Sequence, residues 1–181
     1  QPFNILNAFA RPLPVNVIAS LLGVPNDRCD DLLMWSNAMV AMYQSGRTKQ
    51  TEIEANTATI EFTEFLESYI SHRRMNPKTD LLSDLIAAEE EGEKLTGAEL
   101  ISTCILLLNA GHEATVHTIG NALKTLLPTR HRDVTTDLIE EVLRFDPPLH
   151  VFTRFAYKDI DCFGTKIKKG HEVACVLAAA N

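Results

Sequence analysis

Near the middle of the chain, Asn109-Ala110-Gly111-His112-Glu113-Ala114-Thr115 sets small residues, an acid and a hydroxyl inside an otherwise apolar stretch. Polar groups midway along a buried helix cost stability unless partnered, so such an interruption points to a site. Close helix–helix packing at Ala110 and Gly111, with the polar groups turned to solvent, is the plain alternative. A zinc-hydrolase reading of His112, Glu113 and His117 fails on geometry. Two ligating histidines on one helix need i,i+4 spacing, about 40° apart, whereas His117 is i+5 from His112, about 140° round. The sequence holds no Gly-x-Ser-x-Gly, no phosphate-cradling glycine loop and no Cys in a charged or Gly-rich setting that would lower its pKa. Further on, Glu141 and Arg144 stand at i,i+3. Taken alone they are a solvated ion pair contributing about 0.2–0.5 kcal/mol.

The elements that must position these residues follow from apolar spacing and from breakers. Residues 4–10 are amphipathic, Pro12 and Pro14 break them, and 15–22 form a helix ended by Gly23 with Pro25 beyond. Asn26 or Asp27 caps the next helix, which carries Leu32, Leu33, Trp35, Met39 and Met42, and 44–50 is a polar loop. A long helix over about 52–74 bears a stripe of Ile60, Phe62, Phe65, Leu66, Tyr69 and Ile70, and Pro77 closes it. Asp80 opens an acidic helix over 81–91, ended by Gly92. Thr96 and Glu99 make a capping box. From there a helix can run to Pro128, about 45 Å in length. Over 101–108 it is apolar on nearly every face, as a buried central helix should be. After the basic stretch 129–133, Thr136 or Asp137 caps a helix over 137–145, stopped by Pro147-Pro148. Strands over 151–157, 159–163, 166–168 and 172–177 follow, with turns at Gly164 and Gly170. The fold class is therefore mainly α, a helical bundle around a long central helix with a small β annex at the C-terminal end. It reads as one partial domain over 1–181, helical to 145 and stranded from 146.

The sequence has 181 residues, 45% hydrophobic and 23% charged, with net charge −7. A chain of this size buries roughly two-thirds of its unfolded surface, and its apolar fraction excludes a disordered acidic tail. Seventeen basic against 24 acidic residues, with no basic stripe, argue against nucleic acid as a partner. Apolar runs at 105–108 and 173–180 fall far short of the roughly 20 residues of a membrane span. Cys29, Cys104, Cys162 and Cys175 form no CxxC pair and lie mostly in apolar runs, which predicts reduced core thiols and a cytoplasmic location. Lacking an initiator Met and closing on an apolar strand, the sequence reads as a fragment.

The order of these features carries more than any one of them. A buried helix with A-G-x-E-x-T is followed about 30 residues later by E-x-x-R, then by Asp146-Pro147-Pro148, Arg154 and short strands. That order resembles the cytochrome P-450 family of haem-thiolate monooxygenases, in particular its soluble bacterial members. The likeness extends to Phe9-Ala10-Arg11-Pro12-Leu13-Pro14-Val15, Leu21-Leu22-Gly23-Val24-Pro25 and Asp80-Leu81-Leu82-Ser83-Asp84-Leu85. It implies a partial form of that fold and a b-type haem (heme b) in the intact parent. By the same resemblance, Ala110 and Gly111 would let the helix backbone lie close to the haem, and Glu113 with Thr115 would serve proton delivery. Arg154 would bind a haem propionate, a contact that suits the guanidinium fork. Glu141 and Arg144 would be a structural pair, while Leu106, Asn109, His150, Val151 and Phe152 would line the substrate pocket beside an access loop at 44–50. Asn109 would orient a substrate oxygen, although Asn109 and His150 fit ordinary backbone or solvent hydrogen bonding equally.

Three departures from the family pattern stand out. The family's alcohol follows its acid directly, whereas here the order is Glu113-Ala114-Thr115, and one helical position turns a side chain by about 100°. The stretch between Leu127 and Asp137 is shorter than the family's connection. No Phe-x-x-Gly-x-x-x-Cys-x-Gly loop is present, so no metal ligand is assigned: the axial Cys thiolate is not in this sequence. The parent reaction implied is insertion of one oxygen atom from O2 into a small apolar organic substrate, with electrons from a ferredoxin or a flavin reductase. The fragment itself is expected to be inactive. A rival reading is a haem-free helical module or degenerate gene product that self-associates through exposed core faces.

Overall fold

A computed structural model describes residues 3–44, 46–90, 95–129 and 133–179. Among the described residues the α-helices are α1 (Pro12–Leu22), α2 (Cys29–Val40), α3 (Lys49–Met75), α4 (Leu81–Glu90), α5 (Gly97–Leu126) and α6 (Thr136–Phe145). Four short strands follow: β1 (Val151–Phe155), β2 (Ile160–Cys162), β3 (Thr165–Ile167) and β4 (Glu172–Val176). β1 pairs antiparallel with β4, Val151 opposite Val176, and β2 pairs antiparallel with β3, Ile160 opposite Ile167. The chain forms two compact units, Gln1–Val116 and His117–Asn181, and the division falls within α5.

Local chemistry explains the element ends, with several departures from the sequence expectation. Pro12 and Pro14 do not break the chain; they sit in the first turn of α1, where a missing N–H costs nothing, and a short π-helical turn, Leu6–Ala10, leads into it. Gly23 ends α1 in the left-handed region (φ 70°). Asn26 and Asp27 do not cap α2; a single 3-10 turn, Asn26–Arg28, precedes it without a side-chain cap. α3 begins earlier than expected, at Lys49, because Thr48 and Thr51 exchange capping hydrogen bonds of 3.2 and 3.3 Å. The Thr96–Glu99 box forms as read: the Thr96 amide donates to Glu99 Oε2 (2.8 Å) and the Glu99 amide to Thr96 Oγ1 (3.3 Å). Thr135, not Thr136 or Asp137, caps α6 through the Leu138 amide. Gly92 and residues 130–132 lie outside the described residues.

In the first unit the core joins Val15, Ile18 and Leu22 of α1, Leu32 and Trp35 of α2, Phe62, Leu66 and Ile70 of α3, Leu82 and Ile86 of α4, and Leu100, Cys104 and Leu108 of α5. Ile60 of the expected α3 stripe is exposed instead. An aromatic ladder lies between α2 and α3. Trp35 stacks on Phe62 with centroids 5.1 Å apart, Phe65 on Tyr69 at 5.5 Å, and the Arg28 guanidinium covers Phe65 at 4.8 Å.

Arg73 closes the ladder. It is fully buried, and its Nη2 bonds Asp80 Oδ2 at 2.6 Å and the Gly23 carbonyl at 2.7 Å, while its Nε donates to Tyr69 Oη at 3.1 Å. Tyr69 also donates to the Gly23 carbonyl. Asp80 Oδ1 accepts the Ser83 amide at 3.0 Å, so the ion pair simultaneously opens α4. A Cβ at position 23 would overlap both the Asp80 carboxylate and the guanidinium, so this glycine is required by space as well as by φ. Burial works against the Asp80 charge, yet the Ser83 and Arg73 hydrogen bonds hold its carboxyl below the ordinary value of 3.8. Nearby, α5 approaches α1 at Gly111. A Cβ there would stand 2.7 Å from Ile18 Cδ1 and 3.4 Å from Cγ1.

Asp80→Asn leaves Arg73 buried without its counter-charge, and urea unfolding should show a loss of about 3–5 kcal/mol; a loss under about 1 kcal/mol would contradict the role given to the pair. Because the folded pKa of Asp80 is lowered, its contribution is complete above 3.8 and is lost as the pH falls through the lowered value. Acid destabilisation below that pH should therefore be shallower in Asp80→Asn than in the wild type. At position 111, Gly111→Ala should stay within about 1 kcal/mol of wild type, since gained helix propensity offsets displacement of the Ile18 methyl. Gly111→Leu should cost about 1–3 kcal/mol by overpacking, and equal stability of the two variants would contradict the close approach.

Candidate functional site

α5 turns one line of side chains into the first unit and leaves another uncovered. Leu100, Cys104, Leu108, His112 and Val116 are buried. The outer line begins at Leu106, which is 64% exposed, and continues through Ala110 and Ala114, both exposed, at i, i+4 and i+8. The expectation of burial on nearly every face over 101–108 is thus corrected at Leu106. Asn109 and Glu113 flank this strip and are half-buried. Gly111 does not belong to it; that residue faces Ile18. Thr115 is exposed and its hydroxyl donates to the Gly111 carbonyl at 2.8 Å, so it is engaged with its own helix about 140° round from Ala110.

Beside the strip, Asn109 lines a cleft of about 430 Å3 with Met39, Met42, Tyr43, Glu52, Ala55, Asn56 and Thr59. Its Nδ2 reaches Met39 Sδ at 4.0 Å. Its Oδ1 is buried and, among the described residues, accepts no hydrogen bond. Helices α2, α3 and α5 position this cleft, with Met42 and Tyr43 from the 3-10 turn Ala41–Tyr43 that follows α2.

The second unit holds the remaining sequence-derived candidates. Glu141 and Arg144 form a two-pronged pair on exposed α6, Nε to Oε2 and Nη2 to Oε1, both 2.7 Å. The Arg144 hydrogen bonds hold the Glu141 carboxyl below its ordinary range. Val151, Phe152 and Arg154 lie on β1, exposed along its length. The Arg154 guanidinium rests on the Phe152 ring, 3.8 Å from its centroid, and donates to the Thr153 carbonyl at 3.0 Å. Among the described residues no carboxylate pairs with it. His150 Nε2 lies 3.8 Å from Asp146 Oδ1.

The thiols divide in a way the sequence did not show. Cys29 and Cys104 are buried, and burial pushes Cys104 up to about 11. Cys162 and Cys175, expected in the core, are exposed, because each lies in a two-stranded ladder with exposed faces. For the b-type haem implied by the resemblance, the uncovered strip with Ala110 and Ala114 on α5 fits the face of a flat group; separately, in the second unit, the exposed Arg154 guanidinium has the chemistry of a propionate partner. The buried thiols do not fit its iron: a Cys104 thiolate is strongly disfavoured and its side chain points into the core. Sequence reasoning missed Ala114 as part of the strip and Met39 as the neighbour of Asn109. The i,i+4,i+8 spacing from Leu106 could have revealed the first; nothing local reveals a contact between residues 70 apart.

No protein-family model matches the sequence. Individual proteins do. YjiB of Bacillus subtilis (strain 168), assigned to the cytochrome P450s, is 36% identical over 190 residues, covering 99% of this chain and 48% of its own length. Vitamin D(3) 25-hydroxylase of Pseudonocardia autotrophica is 35% identical over 190 residues, with 99% and 45% covered. Among solved structures, P450BioI in complex with an acyl carrier protein ligated to hexadec-9Z-enoic acid superposes with TM-score 0.89 at 32% identity, covering 98% of this chain and 48% of that one. The chain thus spans about half the length of the relatives it matches. By sequence and by fold, over the half of their length that it covers, the chain belongs to the cytochrome P450 family.

Proposed function

We infer that the chain is the middle portion of a haem-dependent monooxygenase that inserts one oxygen atom from O2 into a small apolar organic substrate. Electrons come from a redox partner, a ferredoxin or a flavin reductase. The observation that carries this reading is the uncovered strip Leu106–Ala110–Ala114 on a helix whose opposite line is fully packed. A surface of alanines admits a flat cofactor and a diatomic molecule where larger side chains would exclude both. Haem, when bound, supplies the reductive activation of dioxygen.

Each residue of the chain then has a task. Ala110 and Ala114 give the strip its shallow floor, and Gly111, set against Ile18, fixes how closely α5 lies on α1. Glu113, half-buried at the edge, is the proton-delivery acid. Thr115 is turned away and bonded to Gly111, so the proton path from Glu113 runs through water or a substrate group. Arg154, held by Phe152 and the Thr153 carbonyl, offers its fork to a propionate. Leu106, Asn109, His150, Val151 and Phe152 shape the substrate's surroundings, and Glu141–Arg144 braces α6 without touching substrate.

A second reading, the haem-free helical module, rests on a different observation. Leu6 and Phe9 of the π-helical turn and Leu13, Val17 and Leu21 of α1 are exposed apolar side chains. Exposed apolar side chains in number favour self-association.

Both readings meet in one experiment. The 181-residue chain is titrated with haem, reduced, exposed to carbon monoxide and scanned for its difference spectrum. Without the family's Cys loop, no red-shifted Soret band of a thiolate-ligated haem should form. Its appearance would contradict the inactivity proposed for the chain. Absence of any haem uptake would favour the module.

A further inference from the structure

The hairpin of β2 and β3 turns on a residue that its geometry does not suit. Cys162 pairs with Thr165, so the loop is Phe163 and Gly164, with φ of 51° and 79°. Positive φ at both loop residues defines a type I′ turn, which asparagine followed by glycine fills without strain. A bulky aromatic residue with left-handed φ is a backbone outlier. Phe163 is the one non-glycine residue in that state among the described residues. Its side chain is also fully exposed, so burial gives the fold nothing in exchange. Strain that packing does not offset points to a use outside the fold.

The rest of the hairpin indicates what would meet that ring. Strand alternation sets Ile160 and Cys162 on one face, opposite Ile167 and Thr165, and this face carries no charge. Ile160 and Cys162 are exposed. The other face holds Asp161 opposite Lys166. From Tyr157 to His171 the chain has four lysines, Lys158, Lys166, Lys168 and Lys169, against Asp159 and Asp161, in a molecule of net charge −7. All four lysines are exposed. Asp159 is engaged by the Lys168 ammonium at 2.7 Å and the Lys169 amide at 2.9 Å, and Asp161 Oδ1 accepts the Gly164 amide at 3.0 Å. The ammonium groups of Lys158, Lys166 and Lys169 have no carboxylate partner among the described residues. An aromatic tip thus stands on a basic ribbon in an otherwise acidic chain.

We propose that this hairpin docks on an anionic lipid surface, with the Phe163 ring entering the boundary between headgroups and acyl chains. A stable protein interface buries about 800 Å2 on each side, more than the tip of a two-stranded ribbon offers. A fluid lipid layer takes a projecting ring without a matching cavity, and aromatic rings settle at that depth. One apolar anchor alone binds only marginally, and the lysines supply the second signal by attraction to anionic headgroups. The association is peripheral and reversible. It goes beyond the monooxygenase reading and does not depend on it.

The test is flotation of the 181-residue chain with two kinds of vesicle, phosphatidylcholine alone and phosphatidylcholine mixed with phosphatidylglycerol in equal parts. Because the molecule as a whole is acidic, a preference for the anionic vesicles requires a local basic patch. At low salt the wild type should bind the anionic vesicles about 10-fold more tightly than the neutral ones, and high salt should shrink the difference. Phe163→Asn installs the residue the turn favours. It should weaken anionic-vesicle binding about 10-fold, while its melting temperature stays level or rises by about 2–4 °C. Phe163→Leu keeps an apolar tip and should retain most of the binding. Equal binding by the wild type and Phe163→Asn would overturn the proposal, as would binding indifferent to vesicle charge. Failure of the wild type to bind either vesicle would also overturn it, leaving an acidic protein as the partner to seek. A fall in the melting temperature of Phe163→Asn would show the ring to be structural, which overturns it as well. None of these results bears on the monooxygenase reading.

Discussion

The contact on which the first unit depends is the buried pair of Arg73 and Asp80. A guanidinium taken out of water is tolerated only when its charge is met. Here Asp80 meets the charge, and Asp80, the Gly23 carbonyl and the Tyr69 hydroxyl engage Nη2 and Nε, while Nη1 is buried without a hydrogen-bond partner among the described residues. One side chain thereby ties the end of α3 to the end of α1 and to the start of α4. The arrangement also explains why α1 ends where it does: only a residue without a Cβ leaves room for the ion pair. Displacing Arg73 or Asp80 would strand the other's charge, so the three helix ends are fixed as a group.

With α1, α3 and α4 held in this way, α5 has a firm bed. Leu100, Cys104 and Leu108 enter a core already shaped by Phe62, Leu66 and Leu82. Gly111 lets the helix settle against Ile18 at its midpoint. The consequence for function is geometric. A helix anchored along one line can carry a line of small residues opposite it without losing stability, because the exposed line contributes little to the fold. Ala110 and Ala114 are free to be small because Leu108 and His112 do the packing. The same anchoring sets Asn109 at the edge of the cleft lined by residues of α2 and α3.

Much of this was legible in the sequence, wherever the determinant is local. Gly23 as a helix end and Thr96–Glu99 as a helix start are read directly, since each acts within four residues. The polar interruption of α5 at 109–115 is equally visible, and its order with Glu141, Arg144 and Arg154 carries the family. What failed to show depends on distant partners. Arg73 gave no signal because Gly23 lies 50 residues away. Leu106, Cys162 and Cys175 read as buried because periodicity registers apolar character, not whether another layer covers it. Pro12 and Pro14 read as breakers although the first turn of a helix tolerates both.

The network centred on Arg73 joins the ends of α1, α3 and α4 around the core that receives Leu100, Cys104 and Leu108 of α5, and the outer line of α5 is exposed. Native-state hydrogen exchange on the 181-residue chain tests this most directly, because it reports which segments open together. Amides at 69–73 in α3, 83–86 in α4 and 104–112 in α5 should share the slowest rate and respond together to denaturant. Strand amides at 151–155 and 172–176 should exchange faster. If the amides at 104–112 exchange as quickly as those of the strands, α5 is not anchored by this network and the account of its open face fails.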